Sequence, residues 1–254
     1  METIQFFLFR MMLLFVLIQL SACQKFVDKI FPGHNNVNAG CKIQNITGIL
    51  SADGDDITEV IATVEYNDAG NPISLTYNRE AAYLLFPRYM TYDSLNRLSG
   101  YKVYFREDDD NRPIEDHRYG YSGNTIVADT FAGGLTGYMK ILATFEYDSK
   151  GRIILENRKI IEFEGSPDTW EQPDPVVYTY DSNDNRVMGD EYTYDDKVNF
   201  RRTSKVWMFI QRNYSRNNLV GATDYNERGL PTLFHNSKDY FFDVGLTAID
   251  YDCH

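Results

Sequence analysis

Three cysteines, four histidines, two acidic clusters and two tryptophans are the residues of this 254-residue chain whose types could do chemistry. Cys23 directly follows Leu20-Ser21-Ala22, whereas Cys41 and Cys253 stand near the two ends of the rest of the chain. His34, His117, His235 and His254 are scattered, with no two at metal-ligand spacing, so neither a metal centre nor a catalytic histidine is expected. Asp53-Gly54-Asp55-Asp56 and Glu107-Asp108-Asp109-Asp110-Asn111 offer the oxygen ligands that calcium prefers, but neither has EF-hand spacing. Asp and Asn are also turn formers, and solvated turns explain both clusters equally well. No Gly-x-Ser-x-Gly elbow or phosphate-binding glycine loop is present, and Gly133-Gly134 reads as a turn. A glycosidase needs two carboxylates at a fixed separation, and the acidic residues are too many for a pair to be chosen. Trp170, inside the proline-rich stretch 165–175, is the candidate ligand contact, because loops often carry function. No cofactor is expected.

The elements that position these residues begin at the N-terminus. Arg10, an apolar run over 11–20 and the small residues Ser21 and Ala22 make a secretory signal peptide. The run is shorter than the roughly 20 apolar residues that a lone membrane-spanning helix requires. Leu20-Ser21-Ala22-Cys23 resembles, in all four positions, the lipobox read by lipoprotein signal peptidase. That resemblance implies a diacylglycerol thioether on Cys23 and an amide-linked acyl chain. More than one chain gives stable anchoring, since each buried methylene contributes about 0.8 kcal/mol. Residues 1–22 are therefore expected to be a signal peptide, 23–40 a lipid-anchored tether, and 41–254 the folded domain, with a soft boundary at 165–175. Gln24 is not the Asp that retains some lipoproteins at an inner membrane, and no acidic cluster follows Cys23. The expected address is the periplasmic side of an outer membrane, with the cell surface as the alternative.

Glu2 and Arg10 are the charged residues of the leader, so its removal leaves the net charge at −12. A surface this acidic repels phosphate backbones, and no basic stretch reverses it locally, which excludes nucleic acid as an expected partner. Export places Cys41 and Cys253 in an oxidising compartment, where an isolated pair tends to form a disulfide. Two unpaired thiols are the alternative.

A short pattern recurs along the chain: Tyr, Asp or Asn, two or three variable positions, Gly or Asn, usually Arg or Asn, then an aliphatic residue. It reads YNDAGNPI from Tyr66, YDSLNRL from Tyr92, YDSKGRI from Tyr147, YDSNDNRV from Tyr180 and YNERGLP from Tyr225. Weaker copies are YSGNTI from Tyr121 and YDDKVNF from Tyr194. Each copy makes sense as a hairpin turn, with the Asp or Asn capping it and Gly70, Asn96, Gly151, Asn185 and Gly229 tolerating positive φ. Flanking stretches rich in Tyr, Thr, Val, Ile and Phe read as strands, so the chain is built of antiparallel hairpins. The copies mark one end of the sheet, and looser connections, including 78–88, 131–137 and 165–175, mark the other. The one candidate helix of the domain is 78–86.

These turns resemble the YD, or RHS, repeat family over residues 66–251. The C-terminal third is closer still to a group of small bacterial lipoproteins of unknown function, through YDDKVNF, the Asn217-Asn218 pair, YNERGLP and the final Tyr251-Asp252-Cys253. The resemblance implies an all-β, antiparallel hairpin-repeat sheet, curved or partly wrapped, with little helix. Large family members wrap their repeats into a shell that encloses a toxin; this chain has too few repeats to close one and no toxin domain. The expected function is that of a lipid-anchored cell-envelope protein with a non-enzymatic binding or structural role, meeting the membrane through its anchor and an envelope protein or glycan through its sheet. Two alternatives stand beside it: a polysaccharide-binding or polysaccharide-processing accessory protein, and a relative of the toxin-encapsulating proteins.

Overall fold

The computed structural model describes residues 40–51, 57–78, 85–105, 113–134, 138–163, 172–189, 192–235, 237–242 and 244–253. Within them, the five strong copies of the pattern fold alike. Asp93 Oδ1 accepts the N–H groups of Leu95 and Arg97, both at 2.9 Å, and Asp93 Oδ2 takes the Arg97 Nε at 2.8 Å. Asp148 repeats this with Lys150 and Arg152. Asn67, Asp181 and Asn226 accept the equivalent pairs of N–H groups in their own turns. The fourth turn residue is left-handed in every copy: Gly70, Asn96, Gly151, Asp184 and Gly229 have φ between 60° and 79°. Asp184, not Asn185, takes this position in the copy from Tyr180. All five turns have the same length, so Asn185 falls where Arg97 and Arg152 stand in theirs.

The turns join sixteen described strands. The first ten are β1 (Cys41–Ser51), β2 (Ile57–Tyr66), β3 (Pro72–Tyr77), β4 (Arg88–Tyr92), β5 (Leu98–Val103), β6 (Glu115–Ser122), β7 (Thr125–Gly133), β8 (Met139–Tyr147), β9 (Ile153–Phe163) and β10 (Val176–Val177). They are followed by β11 (Tyr194–Val198), β12 (Asn217–Leu219), β13 (Ala222–Tyr225), β14 (Pro231–Phe234), β15 (Tyr240–Phe241) and β16 (Val244–Cys253). Fourteen of them form one antiparallel sheet in the order β10 back through β1, then β16, β14 and β13, with β15 also on β16; β11 and β12 form a separate pair. The sheet is not closed into a barrel: β10 and β13 are its edges. The first and last strands lie side by side in its interior, with Cys41 opposite Cys253.

Strand alternation sets the core. Val60, Ala62 and Val64 of β2 are buried at period two, as a one-sided strand requires. Ile43 and Ile46 of β1 are both fully buried although three residues apart, because a register shift between Ile43 and Asn45 re-phases the strand. Gly133, expected in a turn, ends β7 instead; a Cβ there would stand 2.0 Å from the Ile114 carbonyl oxygen, so the glycine permits a close backbone approach.

The residues that complete the core are helical, and the sequence pattern does not announce them. A 3-10 turn (Phe200–Thr203) leads into helix α1 (Lys205–Ile210), whose Ser204 hydroxyl caps the Val206 N–H. Phe209 packs edge-on to Tyr119 of β6 at 5.1 Å and Phe145 of β8 at 5.6 Å, and Arg88 of β4 lies over Phe242 at 4.5 Å. Phe242 also stacks on Tyr101 of β5, and Arg212 reaches β7 and β9. Residues 209–212 and Phe242, brought together from separate parts of the chain, thus touch strands from β4 to β9, which requires the sheet to curve around a shared core. Phe200, Trp207 and Phe241 are among its fully buried side chains. The YDDKVNF copy is accordingly no hairpin turn: its residues form β11 and enter the 3-10 turn.

Candidate functional site

The tyrosines that open most copies, and Tyr251 of the last strand, do more than pack across strands. The hydroxyls of Tyr66, Tyr92, Tyr121, Tyr147, Tyr180 and Tyr251 donate to the carbonyl oxygens of Ile43, Pro72, Leu98, Ile126, Ile153 and Pro231, over 2.6–3.1 Å. Pro72, Leu98, Ile153 and Pro231 are the first residues of the strands after the preceding turns and Ile126 is the second of its strand, so these tyrosines clip one repeat to another; Tyr225 instead donates to Asp195 Oδ2 at 2.8 Å. Tyr194 keeps the clip although its copy has lost the turn, donating to Arg186 at 2.6 Å. The motif's arginine faces the next copy's ring: Arg97 lies over Tyr121 at 4.3 Å and Arg152 over Tyr180 at 4.0 Å. Asp184 adds an ion pair between copies, accepting from Lys150 and, at 3.0 Å, from Arg152. The Lys150 hydrogen bond first, with Arg152 beside it, holds the Asp184 carboxyl below its usual range. Tyr147→Phe strands the Ile126 carbonyl and is expected to cost about 1–3 kcal/mol in urea unfolding. A loss within experimental error would show that water replaces the hydroxyl.

Beneath this ladder, on the face that curves around α1, charged side chains form a chain of alternating sign. Arg158 Nε meets Glu156 Oε1 at 2.9 Å, and Arg212 Nε meets Glu156 Oε2 at 3.1 Å. Arg212 extends to Asp129 Oδ2 at 3.5 Å, which also takes His117 Nδ1 at 2.9 Å; His117 Nε2 then faces Glu115 at 3.6 Å. Tyr178 donates to Glu156 at 2.9 Å, and the Arg212 guanidinium lies over Phe145 and Phe209. Glu156 and Asp129 are each only 3% exposed. Burial pushes the Glu156 carboxyl up, but Arg212 and then Arg158 outweigh it and hold it below the usual range. Burial likewise pulls the His117 imidazole down, yet its hydrogen bonds to Asp129 and Glu115 overcome that and raise it from 6.5 to about 9. At neutral pH His117 is therefore a cation, and three positive groups face three carboxylates.

A folded-state value above the unfolded one means that the His117 contribution is fully present below pH 6.5 and is lost as pH rises through about 9. The urea midpoint is expected to fall between pH 6.5 and 9.5 in the natural chain and to stay flatter in His117→Phe. Equal slopes in the two proteins would disprove the assignment.

Chemically, this arrangement neutralises itself. A general acid or base needs a proton it can pass to a substrate, whereas each ionic group here is engaged by an oppositely charged neighbour. Asp129 Oδ1 is the single buried carboxylate oxygen among the described residues without a hydrogen-bond partner. A second ionic lock lies beside α1: Arg201 makes a two-pronged pair with Asp239 at 2.7 and 2.9 Å, donates to the Tyr240 carbonyl, and bonds Gln211. Asn185, Asn199, Asn217 and Asn218 exchange hydrogen bonds around β11 and β12 and satisfy backbone groups there.

Comparison with known proteins adds little. No family model matches the chain, and no curated protein matches it. Among solved structures it is similar to a chain of the Photorhabdus luminescens Tc holotoxin pore, at 15% identity and a TM-score of 0.26, over 81% of this chain and 11% of that one. This chain thus spans about a tenth of the length of its structural neighbour.

Of the residues expected from sequence to matter, Cys41 and Cys253 form a disulfide across 212 positions. Cys23, Trp170, His34, His254, both acidic clusters, the signal peptide, the tether and most of the candidate helix at 78–86 lie outside the described residues. Among the described residues, no group of three or more His, Cys, Asp or Glu side chains could hold a metal ion, and no helix is long and apolar enough to cross a membrane. His117 was expected to be isolated; instead it is part of the charged chain. Its own partners are Glu115 on the same strand and Asp129 on the neighbouring strand of the hairpin, while the rest of the charged chain comes from β9 and the segment after α1, which no local signal shows.

Proposed function

We propose that this chain is a YD/RHS-repeat-like lipoprotein of the cell envelope, held through Cys23 on the periplasmic side of an outer membrane, whose sheet serves a non-enzymatic binding or structural role toward an envelope protein or glycan. The supporting observation is how the inner face of the sheet is used. Trp207, Phe200 and Phe241 fill it, and the alternating chain from Arg158 to Glu115 cancels its charges. The same filling argues against an enclosed cargo, because the volume that a shell would offer is occupied by the chain's own α1. What remains for a partner is the outer surface, the turns and the loops.

Labelling growing cells with radioactive palmitate tests the anchor. The full chain is expected to take up label and fractionate with the outer membrane, and Cys23→Ser to lose both properties. Label retained by Cys23→Ser, or none in the natural chain, overturns the anchor. Crosslinking of the membrane-bound protein, followed by recovery from envelope extracts, tests the binding role; turnover of any polymer in a glycan hydrolysis screen would overturn the non-enzymatic reading.

A further inference from the structure

On the outer face of the sheet, two rows of side chains cross the strands that the disulfide joins. Ile61, Thr47, Ala248 and Leu233 stand side by side across β2, β1, β16 and β14. Glu59, Ile49, Gly245 and Tyr240 do the same across β2, β1, β16 and β15. Strand alternation turns both rows outward, since Val60, Leu246, Phe234 and Phe241 beside them are buried. Ile49, Leu233 and Tyr240 are 39%, 47% and 58% exposed, so an apolar patch meets solvent here on a chain of net charge −12. Its rim is acidic. Glu59, Asp224 opposite Leu233, and Asp250, two residues along β16 from Ala248, are exposed, and none of them forms an ion pair with a described residue.

Tyr240 is fixed from beneath. Arg201, in its two-pronged pair with Asp239, also donates to the Tyr240 carbonyl at 2.6 Å, and the Tyr240 N–H donates to Asp239 Oδ1 at 2.9 Å. The next residue, Phe241, packs against Trp207 at 5.3 Å and Phe200 at 5.7 Å. Gly245 leaves room for the ring above the sheet, where a Cβ would touch Tyr240 Cε1 at 3.4 Å. Buried ionic and aromatic contacts therefore hold the backbone while the ring stays half in water; among the described residues its hydroxyl has no hydrogen-bond partner. Covering a strand glycine accounts for an aromatic residue at this position, but not for one so exposed.

We infer that this patch is a binding site for a neutral glycan, with Tyr240 as the platform on which a sugar ring stacks. The inference rests on the non-enzymatic binding role proposed above and names its ligand class and its place. The axial C–H groups of a pyranose present a weakly positive apolar face, which suits the negative face of an aromatic ring. Sugar hydroxyls donate hydrogen bonds, and the carboxylates of Glu59, Asp224 and Asp250 are acceptors set around the platform. Uronate or phosphate polymers would meet the same carboxylates as like charges. Size disfavours a second copy of the chain. Strands about 4.8 Å apart and rows about 7 Å apart give a patch on the order of 200–300 Å², against about 800 Å² per partner in a stable protein interface.

Calorimetric titration of the full chain in mild detergent tests this, with cellohexaose, chitohexaose, laminarihexaose and, as the charged counterpart, hexagalacturonate. At least one neutral hexaose is expected to bind, and hexagalacturonate is not. Tyr240→Ala is expected to weaken the neutral sugar about ten-fold, the loss of one stacked ring, whereas Tyr240→Phe keeps the ring and retains binding. Leu233→Glu, a change at an exposed position of the same patch, is expected to weaken it as well and serves if Tyr240→Ala does not fold. Absence of binding by every neutral hexaose at millimolar concentration, binding unchanged in Tyr240→Ala, or preference for hexagalacturonate overturns the site. So does a dimer in sedimentation that Leu233→Glu dissociates, which assigns the patch to a second copy. If the sugar titrations fail while crosslinking still recovers an envelope partner, the glycan site falls and the binding role stands.

Discussion

Arg212→Met is expected to destabilise the fold by about 3–5 kcal/mol, the size seen when one partner of a buried ion pair is removed. For a domain of this size, that lowers the melting temperature by roughly 6–20 °C, at about 2–4 °C per kcal/mol. The argument starts from Glu156 and Asp129, each 3% exposed and each facing Arg212. Methionine keeps much of the contact with Phe145 and Phe209 but removes the positive charge between two buried carboxylates. Burial favours the neutral form of a carboxyl group, so folding must then expel these charges or protonate them. Glu156→Gln in the Arg212→Met background is expected to recover part of the loss, since one uncompensated charge disappears. Calorimetry and urea unfolding of the single and double variants decide it. A loss below about 1 kcal/mol, typical of an exposed pair, would mean that Arg212 is not neutralising these groups.

The Cys41→Ser, Cys253→Ser double variant is expected to lose about 2–5 kcal/mol, the usual cost of removing a native disulfide. A bond between residues 212 positions apart restrains almost the whole unfolded domain, which is where such a cross-link acts in the chain-entropy view. Reductant added to the natural chain should bring its urea midpoint down to that of the double variant and leave the variant itself unmoved. A natural chain insensitive to full reduction, verified by thiol titration, would show that the pairing of β1 with β16 needs no covalent support.

The parts of this fold that were legible in the sequence are those fixed by neighbours along the chain. Asp93 and Asp148 form their turns with residues two and four positions away, so the pattern alone exposed the turns, the hairpins between them and the antiparallel sheet. The Cys41–Cys253 pairing was legible by a different route, from the export expected of the leader sequence and the residue count. What stayed hidden is set by tertiary contact. The run Lys205–Ile210 is apolar and partly β-branched and resembles a strand; only Ser204, capping Val206, marks it as a helix. Asp184 occupies a position that favours glycine because two cations of the neighbouring repeat engage it, a reason no single copy contains. Tyrosine hydroxyls seek carbonyls some twenty residues away, and the chain from Arg158 to Glu115 draws on β6, β7, β9 and the end of α1. The motif revealed that tyrosine recurs, without the hydrogen bond for which it recurs.

The placement of the Cys41–Cys253 bond has a mechanical consequence. Under the anchoring through Cys23 proposed above, tension would enter at Cys41, not on an edge strand but between β2 and β16 in the interior of the sheet. The covalent bond passes part of that load at once into β16, so two strands pull together along their lengths. The hydrogen bonds of β1 to β2 are then loaded in shear, many at a time, instead of being peeled one after another as at a free edge. With that proposed anchor, the domain would resist a pull without unravelling from its first strand.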